Sequence, residues 1–360
     1  MIFFRLLLPL ISIIFFISCS ESGSEKFDNE TLPNARGADG EIIIVIDSTK
    51  NAGPVGEILR DIFRASIPGL PQPEPYFNAR FVRPQAVNSV LRLVKSLVYV
   101  ATIDDNTQGG RILMRNFTDN SIQQIKSKPD LFMLPRPNQF AKGQDVLHLF
   151  GKNDVELLNN LEKNKQSIRD RFINVEKERR LESLRKNSKK ELSKDLLSKH
   201  DFKLLIPFGY DLAKEDSNFV WLRQFDQRID KNIFIYYQDY RSQELFTAEN
   251  ILRLRNGIGK KYIKDIEVPR IFMTTEERFP PESKEINFKG KYAVESRGLW
   301  KLSDLSRGGA FLSYVLVDEE LNRIYYIEGY VDSPGEDKRN TMMELESILS
   351  TFQTKAEVES

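Results

Sequence analysis

The side chains that most often move protons or hold metals are scarce in this 360-residue chain, which carries two histidines, His148 and His200, and one cysteine, Cys19. Histidine is the side chain that changes charge near neutral pH and the commonest metal ligand, so two without ligand spacing around them leave little such chemistry. With no cysteine after Cys19, the body can form no disulfide, thiolate metal site or cysteine nucleophile. A hydrolase nucleophile elbow needs Gly-x-Ser-x-Gly, and neither that segment nor a phosphate-binding loop occurs. Gly257-Ile258-Gly259-Lys260 begins like a dinucleotide fingerprint but lacks the third glycine and follows a helix, so it reads as a helix stop. Asp104-Asp105-Asn106-Thr107-Gln108-Gly109-Gly110 looks like a calcium loop, yet Arg115 stands where a bidentate Glu is required, and a polar hairpin turn fits it better. Gly53 to Gly56 reads as a turn with proline at the first helical position, and Ser183-Leu184-Arg185-Lys186 as a chance match on a charged helix. These readings call for no metal and no cofactor, and they lean away from an enzyme. Paired carboxylates, whose separation in space a sequence does not display, are the one catalytic device left open. The acidic pairs Glu276-Glu277 and Glu319-Glu320 read as solvated loops.

A more promising set is Trp221, Arg223, Tyr236, Tyr237, Arg297 and Trp300, which places both tryptophans near an arginine. An aromatic face beside a guanidinium suits a sugar or a peptide, so these six are the candidate ligand- or partner-binding residues. The competing reading is core, because aromatics on strands are usually buried.

Charge sets further bounds. With 53 basic and 52 acidic side chains the net charge is +1, so no global field draws the chain onto nucleic acid, which is excluded as a partner class. At the start, Arg5 precedes an apolar run from Leu6 to Ile17 that is too short to span a bilayer and reads as a signal-peptide core over residues 1–18. Phe16-Ile17-Ser18-Cys19 then resembles a bacterial lipobox, with Phe16 where leucine is usual, which makes Cys19 the expected lipid attachment site. Residues 19–39, opening Ser20-Glu21-Ser22-Gly23-Ser24-Glu25 after the cysteine, form a flexible tether to the membrane.

The elements that must position these side chains fall into three blocks. Residues 40–151 predict a βαβαβ-type α/β domain: a strand in Glu41 to Asp47, a helix from Val55 to Phe63, a strand from Tyr76 to Val82, a helix from Gln85 to Lys95 and a strand from Leu97 to Ile103. Arg111 to Arg115, Leu131 to Leu134 and Val146 to Phe150 read as short strands or turns at its margin. Residues 152–200 predict a long charged helical segment, in one piece or two, with a narrow apolar stripe through Leu158, Leu161, Ile168, Phe172 and Val175. Residues 201–354 predict a mainly antiparallel α+β domain with a helix at Thr247 to Arg255, a hairpin from Phe311 to Val331 and a closing helix from Met342 to Phe352, before a short tail at 355–360.

Gly53-Pro54-Val55-Gly56-Glu57, Ile67 to Pro75, Asn218 to Arg223, Ser296 to Trp300 and Ile327 to Val331 together resemble a Bacteroidota lipoprotein family known as domain of unknown function 4837. The resemblance implies a lipid-anchored protein of a Gram-negative cell envelope, at the outer membrane, and brings no activity with it. Residues 201–354 are also loosely similar in element order to the oxygen-evolving subunit P-like fold, whose domains mostly bind partners. Asp47-Ser48-Thr49 resembles the short motif Bacteroidota use for O-glycosylation, with Ser48 as acceptor. The expectation is a non-catalytic envelope module for a protein or glycan partner. The alternative is an envelope hydrolase acting on glycan or peptide through carboxylates.

Overall fold

The computed structural model describes residues 32–359, so the expected leader, Cys19 and residues 20–31 lie outside the described residues. The first half is a mixed sheet of five strands in the order β2-β1-β3-β5-β4, formed by β1 (Glu41–Val45), β2 (Asn78–Val82), β3 (Ser96–Thr102), β4 (Met133–Pro137) and β5 (Asp145–Gly151). The first four in that order run parallel and β4 is antiparallel at the edge. Strands β3 and β5 are buried along their whole length, as strands covered on both faces must be. Helix α1 (Ser48–Ala52) turns straight into α2 (Pro54–Phe63), whose Val55, Ile58, Leu59 and Ile62 pack on one face of the sheet. A side chain at Gly56 would place Cβ 2.0 Å from the Asn51 carbonyl, so this tight reversal requires glycine there.

Three expectations for this half are corrected. The helix expected from Gln85 to Lys95 is instead two short turns at Pro84–Ala86 and Leu91–Leu93: Pro84 opens the first, and the Asn88 side-chain oxygen accepts the N–H groups of Val90 and Leu91 ahead of the second. Arg111 to Arg115 falls mostly within helix α3 (Gln108–Met114), started by Thr107 at its N-cap, so Asp104 to Gly110 is a strand-to-helix connection and not a hairpin. Val146 to Phe150 belongs to an inner parallel strand and not the margin. A further helix, α4 (Asp119–Ser127), leads to β4.

Helix α5 (Asp154–Lys186) does not project from the body. Its Leu157, Leu161, Ile168 and Phe172 complete the core of the first sheet together with α2. Helix α6 (Lys190–His200) follows and inserts Leu196 into the core of the second half.

The second half is built on an eight-stranded antiparallel sheet that runs β10-β12-β13-β14-β9-β8-β7, with β11 also paired to β12. A two-residue strand β6 (Phe202–Lys203) precedes it and pairs with β15 (Gln353–Thr354) near the end of the chain. The sheet strands are β7 (Asp211–Asp216), β8 (Phe219–Gln224), β9 (Asp230–Asp239), β10 (Met273–Thr275), β11 (Glu282–Phe288), β12 (Lys291–Leu302), β13 (Gly308–Asp318) and β14 (Arg323–Asp332). Side chains alternate between two cores, as the pleat dictates. Val220, Ile235, Leu312 and Ile327 face α6 and α8 (Arg339–Leu349), whereas Phe219, Phe234, Phe311 and Tyr326 face α7 (Ala248–Tyr262). Gly257-Ile258-Gly259 is no helix stop, because α7 continues to Tyr262 and uses Gly259 to pass close to β10.

Candidate functional site

The sheet's alternation splits the six candidate residues. Trp221, Arg223, Tyr236 and Trp300 lie on the α7 face; Tyr237 and Arg297 lie on the other, because 236 and 237 are consecutive on one strand and 297 differs in parity from 300 on β12. Trp221, Arg223 and Trp300 meet in a recess of about 260 Å³ at the end of the sheet where β8, β12 and β14 finish and β9 and β13 begin. The connection after α7, Ile263 to Glu267, forms its outer wall.

The recess floor is a relay of arginine and aspartate. Arg223 donates to both carboxylate oxygens of Asp230, at 2.6 and 2.9 Å, so its guanidinium is fixed in a fork and its charge is held more firmly than usual by that bond. Arg307 binds Asp332 and reaches Asp230 at 3.5 Å. The Trp221 indole N–H donates to Asn232 Oδ1 at 2.9 Å, and that of Trp300 to the Val331 carbonyl at 3.0 Å. Trp300 is only 4% exposed and packs edge-on to Tyr330, so it is a wall of the recess and not an open platform.

Around the mouth, large apolar side chains face outward: Phe225 is 68% exposed, Ile266 88% and Leu305 66%. Phe225 lies 4.8 Å from the Arg223 guanidinium, Ile266 lines the recess, and Leu305 lines an adjoining hollow of about 450 Å³ that shares Trp300 and Arg307 with it and is also lined by exposed Phe279. Sequence reasoning missed Arg307 and this apolar rim. The rim's only signal is large apolar residues in segments that should be polar turns.

The other candidates have structural partners. Tyr237 receives a contact from His200 Nδ1 at 2.9 Å and donates its own proton to the Ser217 carbonyl at 2.7 Å, while His200 Nε2 lies 2.9 Å from Glu215 Oε1. Tyr236 donates to Gln238 at 3.0 Å beside Tyr262. Arg297 is buried between Glu295 and Glu346, at 2.8 Å from each, beneath the proline-rich loop of the first half; an ideal Cβ on Gly69 would sit 2.8 Å from its own Cβ. His148 stacks on Tyr99 at 5.1 Å and contacts Gln139 through Nε2 at 2.9 Å; burial, with Arg136 nearby, pushes its pKa down to about 4. Ser48 is exposed in the first turn of α1, which Asp47 caps through the Thr49 N–H.

Parallel sheets usually bind ligands beyond the carboxyl ends of their strands, between β1 and β3 here. That position is filled from within. Buried Lys50 bridges Asp154 at 2.5 Å and Asp105 at 3.4 Å, and α3 arrives so closely that a Cβ on Gly109 would lie 2.4 Å from Asp47 Oδ2. On the α7 face of the second sheet, Arg255 donates to both oxygens of Glu328, at 2.7 and 2.9 Å, and lies 3.8 Å from the Phe311 ring centroid. Burial opposes charge on Arg255, and Glu328, Tyr326 and Tyr330 together hold it charged; both side chains of the pair are buried, so this is sealed structure. Among the described residues no group of three or more His, Cys, Asp or Glu side chains is arranged to hold a metal ion.

Residues 189–351 match the family model of a domain of unknown function, DUF4837, and residues 35–185 match that of a second domain of unknown function, DUF8532. The two matches divide the chain between the end of α5 and the start of α6. No curated protein matches the chain. Among solved structures, the Ran-binding protein Mog1p of Saccharomyces cerevisiae is similar at 9% identity and a TM-score of 0.29, covering 43% of this chain and 90% of that one. A point mutant of Mog1 gives the same values, a likeness too remote to carry an argument.

Proposed function

We propose that this chain is a lipid-anchored protein of the cell envelope, held at the outer membrane through Cys19, and that its second half is a non-catalytic module docking a protein partner over the Trp221–Arg223–Arg307 recess. The observation that carries the reading is the exposed apolar surface of Phe225, Ile266 and Leu305 beside the forked Arg223, Arg307 and the two tryptophans. Exposed apolar surface beside arginine and tryptophan is the composition of interface hot spots. A glycan is the poorer fit, because sugar recognition wants open aromatic faces and free polar groups. Here Trp300 is covered, and Asp230, Asn232 and Asp332 are already engaged by neighbours. The same engagement argues against a hydrolase, whose two carboxyls must be free to exchange protons with substrate.

The anchoring half of the proposal rests on the leader, where Arg5, the apolar run to Ile17 and Ser18-Cys19 follow one another. Among the described residues no helix is long and apolar enough to cross a membrane. Labelled palmitate should enter the wild-type chain and not Cys19→Ala. The docking half is tested by purifying crosslinked complexes of the wild-type chain and of the Phe225→Ser/Leu305→Ser variant from the native membrane. A stoichiometric protein partner lost in the variant, with unchanged thermal unfolding, supports the reading; the same partner at full yield in the variant removes it.

A further inference from the structure

The opposite end of the second sheet carries a cleft of about 1180 Å³ with a different chemistry. Three aromatic rings converge there: Phe246 meets Tyr292 edge to face at 5.0 Å and Tyr240 at 6.3 Å. Tyr292 is half exposed, so its ring is open to an incoming group. The polar lining is acidic, with Glu285 from β11, Glu319 and Glu320 from the turn between β13 and β14, and Glu357 near the end of the chain. Lys291, the cation among these lining residues, pairs with Glu357 at 3.2 Å, so the balance stays strongly negative.

A second observation adds a buried acidic group to the same lining, across from Arg323 of β14. Asp318, 1% exposed and part of the same lining, accepts the N–H groups of Glu320 at 3.0 Å and Leu321 at 3.2 Å on Oδ1, while Oδ2 has no hydrogen-bond partner. A buried carboxylate oxygen without a partner calls for an explanation, and negative potential focused into an aromatic cleft supplies one. A bare metal does not answer it, because these carboxylates do not converge on a common point.

We infer that the cleft between Tyr292, Phe246 and the Glu319-Glu320 turn is a binding site for an arginine side chain presented by a peptide. A planar guanidinium can lie on a tyrosine ring and fork onto a carboxylate at once, which a compact ammonium or a neutral group cannot. The site is separate from the recess at the other end of the sheet and stands or falls independently of it.

The test is fluorescence anisotropy with the detergent-purified full chain and a dye-labelled Gly-Arg-Gly-Arg-Gly peptide, against the same peptide with citrulline, neutral and nearly isosteric, at both arginine positions. Saturable binding of the arginine peptide is expected, weaker by about tenfold or more for the citrulline peptide, for Tyr292→Ala and for Glu319→Gln/Glu320→Gln. Val155→Ser, at an exposed position of the first half, should leave it unchanged. These substitutions sit on exposed positions, so the fold persists; Asp318→Asn is avoided because Asp318 also holds the turn. Absence of saturable binding, equal binding of the two peptides, or binding that survives both cleft variants overturns the assignment.

Discussion

At the scale of single residues, His148 gives the cleanest readout. His148 is neutral in the folded protein because burial disfavours its charged form, and its pKa falls from 6.5 to about 4. The unfolded chain therefore binds a proton that the folded one refuses. The stabilisation is complete above about pH 6.5 and is lost as pH falls from there toward 4, by up to about 3 kcal/mol. Denaturant melts between pH 7 and pH 4 should show that loss, and His148→Gln should flatten it. With only two histidines in the chain, the His148 ring protons are easily followed by NMR and should not titrate above pH 5 or so. The residue scale also explains what the sequence could and could not say about the recess. Trp221, Arg223 and Trp300 were recognisable by type, and they do converge. Tyr237 and Arg297 share their chemistry but not their face, since a strand sends neighbours to opposite sides. Arg307 sits one residue ahead of β13, and nothing in its local pattern marks it.

At the scale of elements, helix α7 makes a paired prediction. Gly257 and Gly259 are both costly to helix propensity, by about 1 kcal/mol each relative to alanine. A Cβ on exposed Gly257 meets nothing within 4 Å, so Gly257→Ala should stabilise by about that amount. A Cβ on Gly259 would lie 2.3 Å from the Met273 carbonyl oxygen, so Gly259→Ala should push β10 away and destabilise. Thermal unfolding of the two variants should move in opposite directions. The strands followed the same logic of visibility. β1, β3 and β13 announce themselves as apolar runs because both of their faces are covered. β7, with the sequence DLAKED and no buried residue, and the mostly exposed β11 were invisible, because charged edge strands are held by backbone pairing and carry no hydrophobic signature. The long charged helix was visible from its apolar stripe, but which core that stripe completes depends on α2, far away in sequence.

At the scale of the whole molecule, the two halves are joined by more than the chain. Helix α8 lacks a side-chain cap of its own, and Glu74 from the proline-rich loop of the first half accepts the N–H groups of Lys338 and Arg339 at 2.8 to 3.0 Å. Arg180 of α5 donates to the Asn340 carbonyl at 3.1 Å. A carboxylate at a helix N-terminus contributes about 1 kcal/mol, so Glu74→Ala should lower the stability of the second half by that much although the residue lies outside it. Such a shift in thermal unfolding would show that the loop acts as a clasp. It also explains why Ile67 to Pro75 closes into a loop, the Ile67 N–H donating to the Glu74 carbonyl at 2.9 Å, and why Arg297 is sealed beneath it. With this side of the second half covered by the first, the end of the sheet around Phe225, Ile266 and Leu305 remains open to a partner.

Docking of a protein at this end of the sheet is tested by site-specific photocrosslinking in the native membrane. A photoreactive amino acid would replace Phe225, Leu305 or, as a control on the first half, exposed Val155. One discrete crosslinked protein is expected from positions 225 and 305, abolished by Arg307→Ala, and none from 155. No crosslink at 225 and 305, or the same products from all three positions, would contradict docking there.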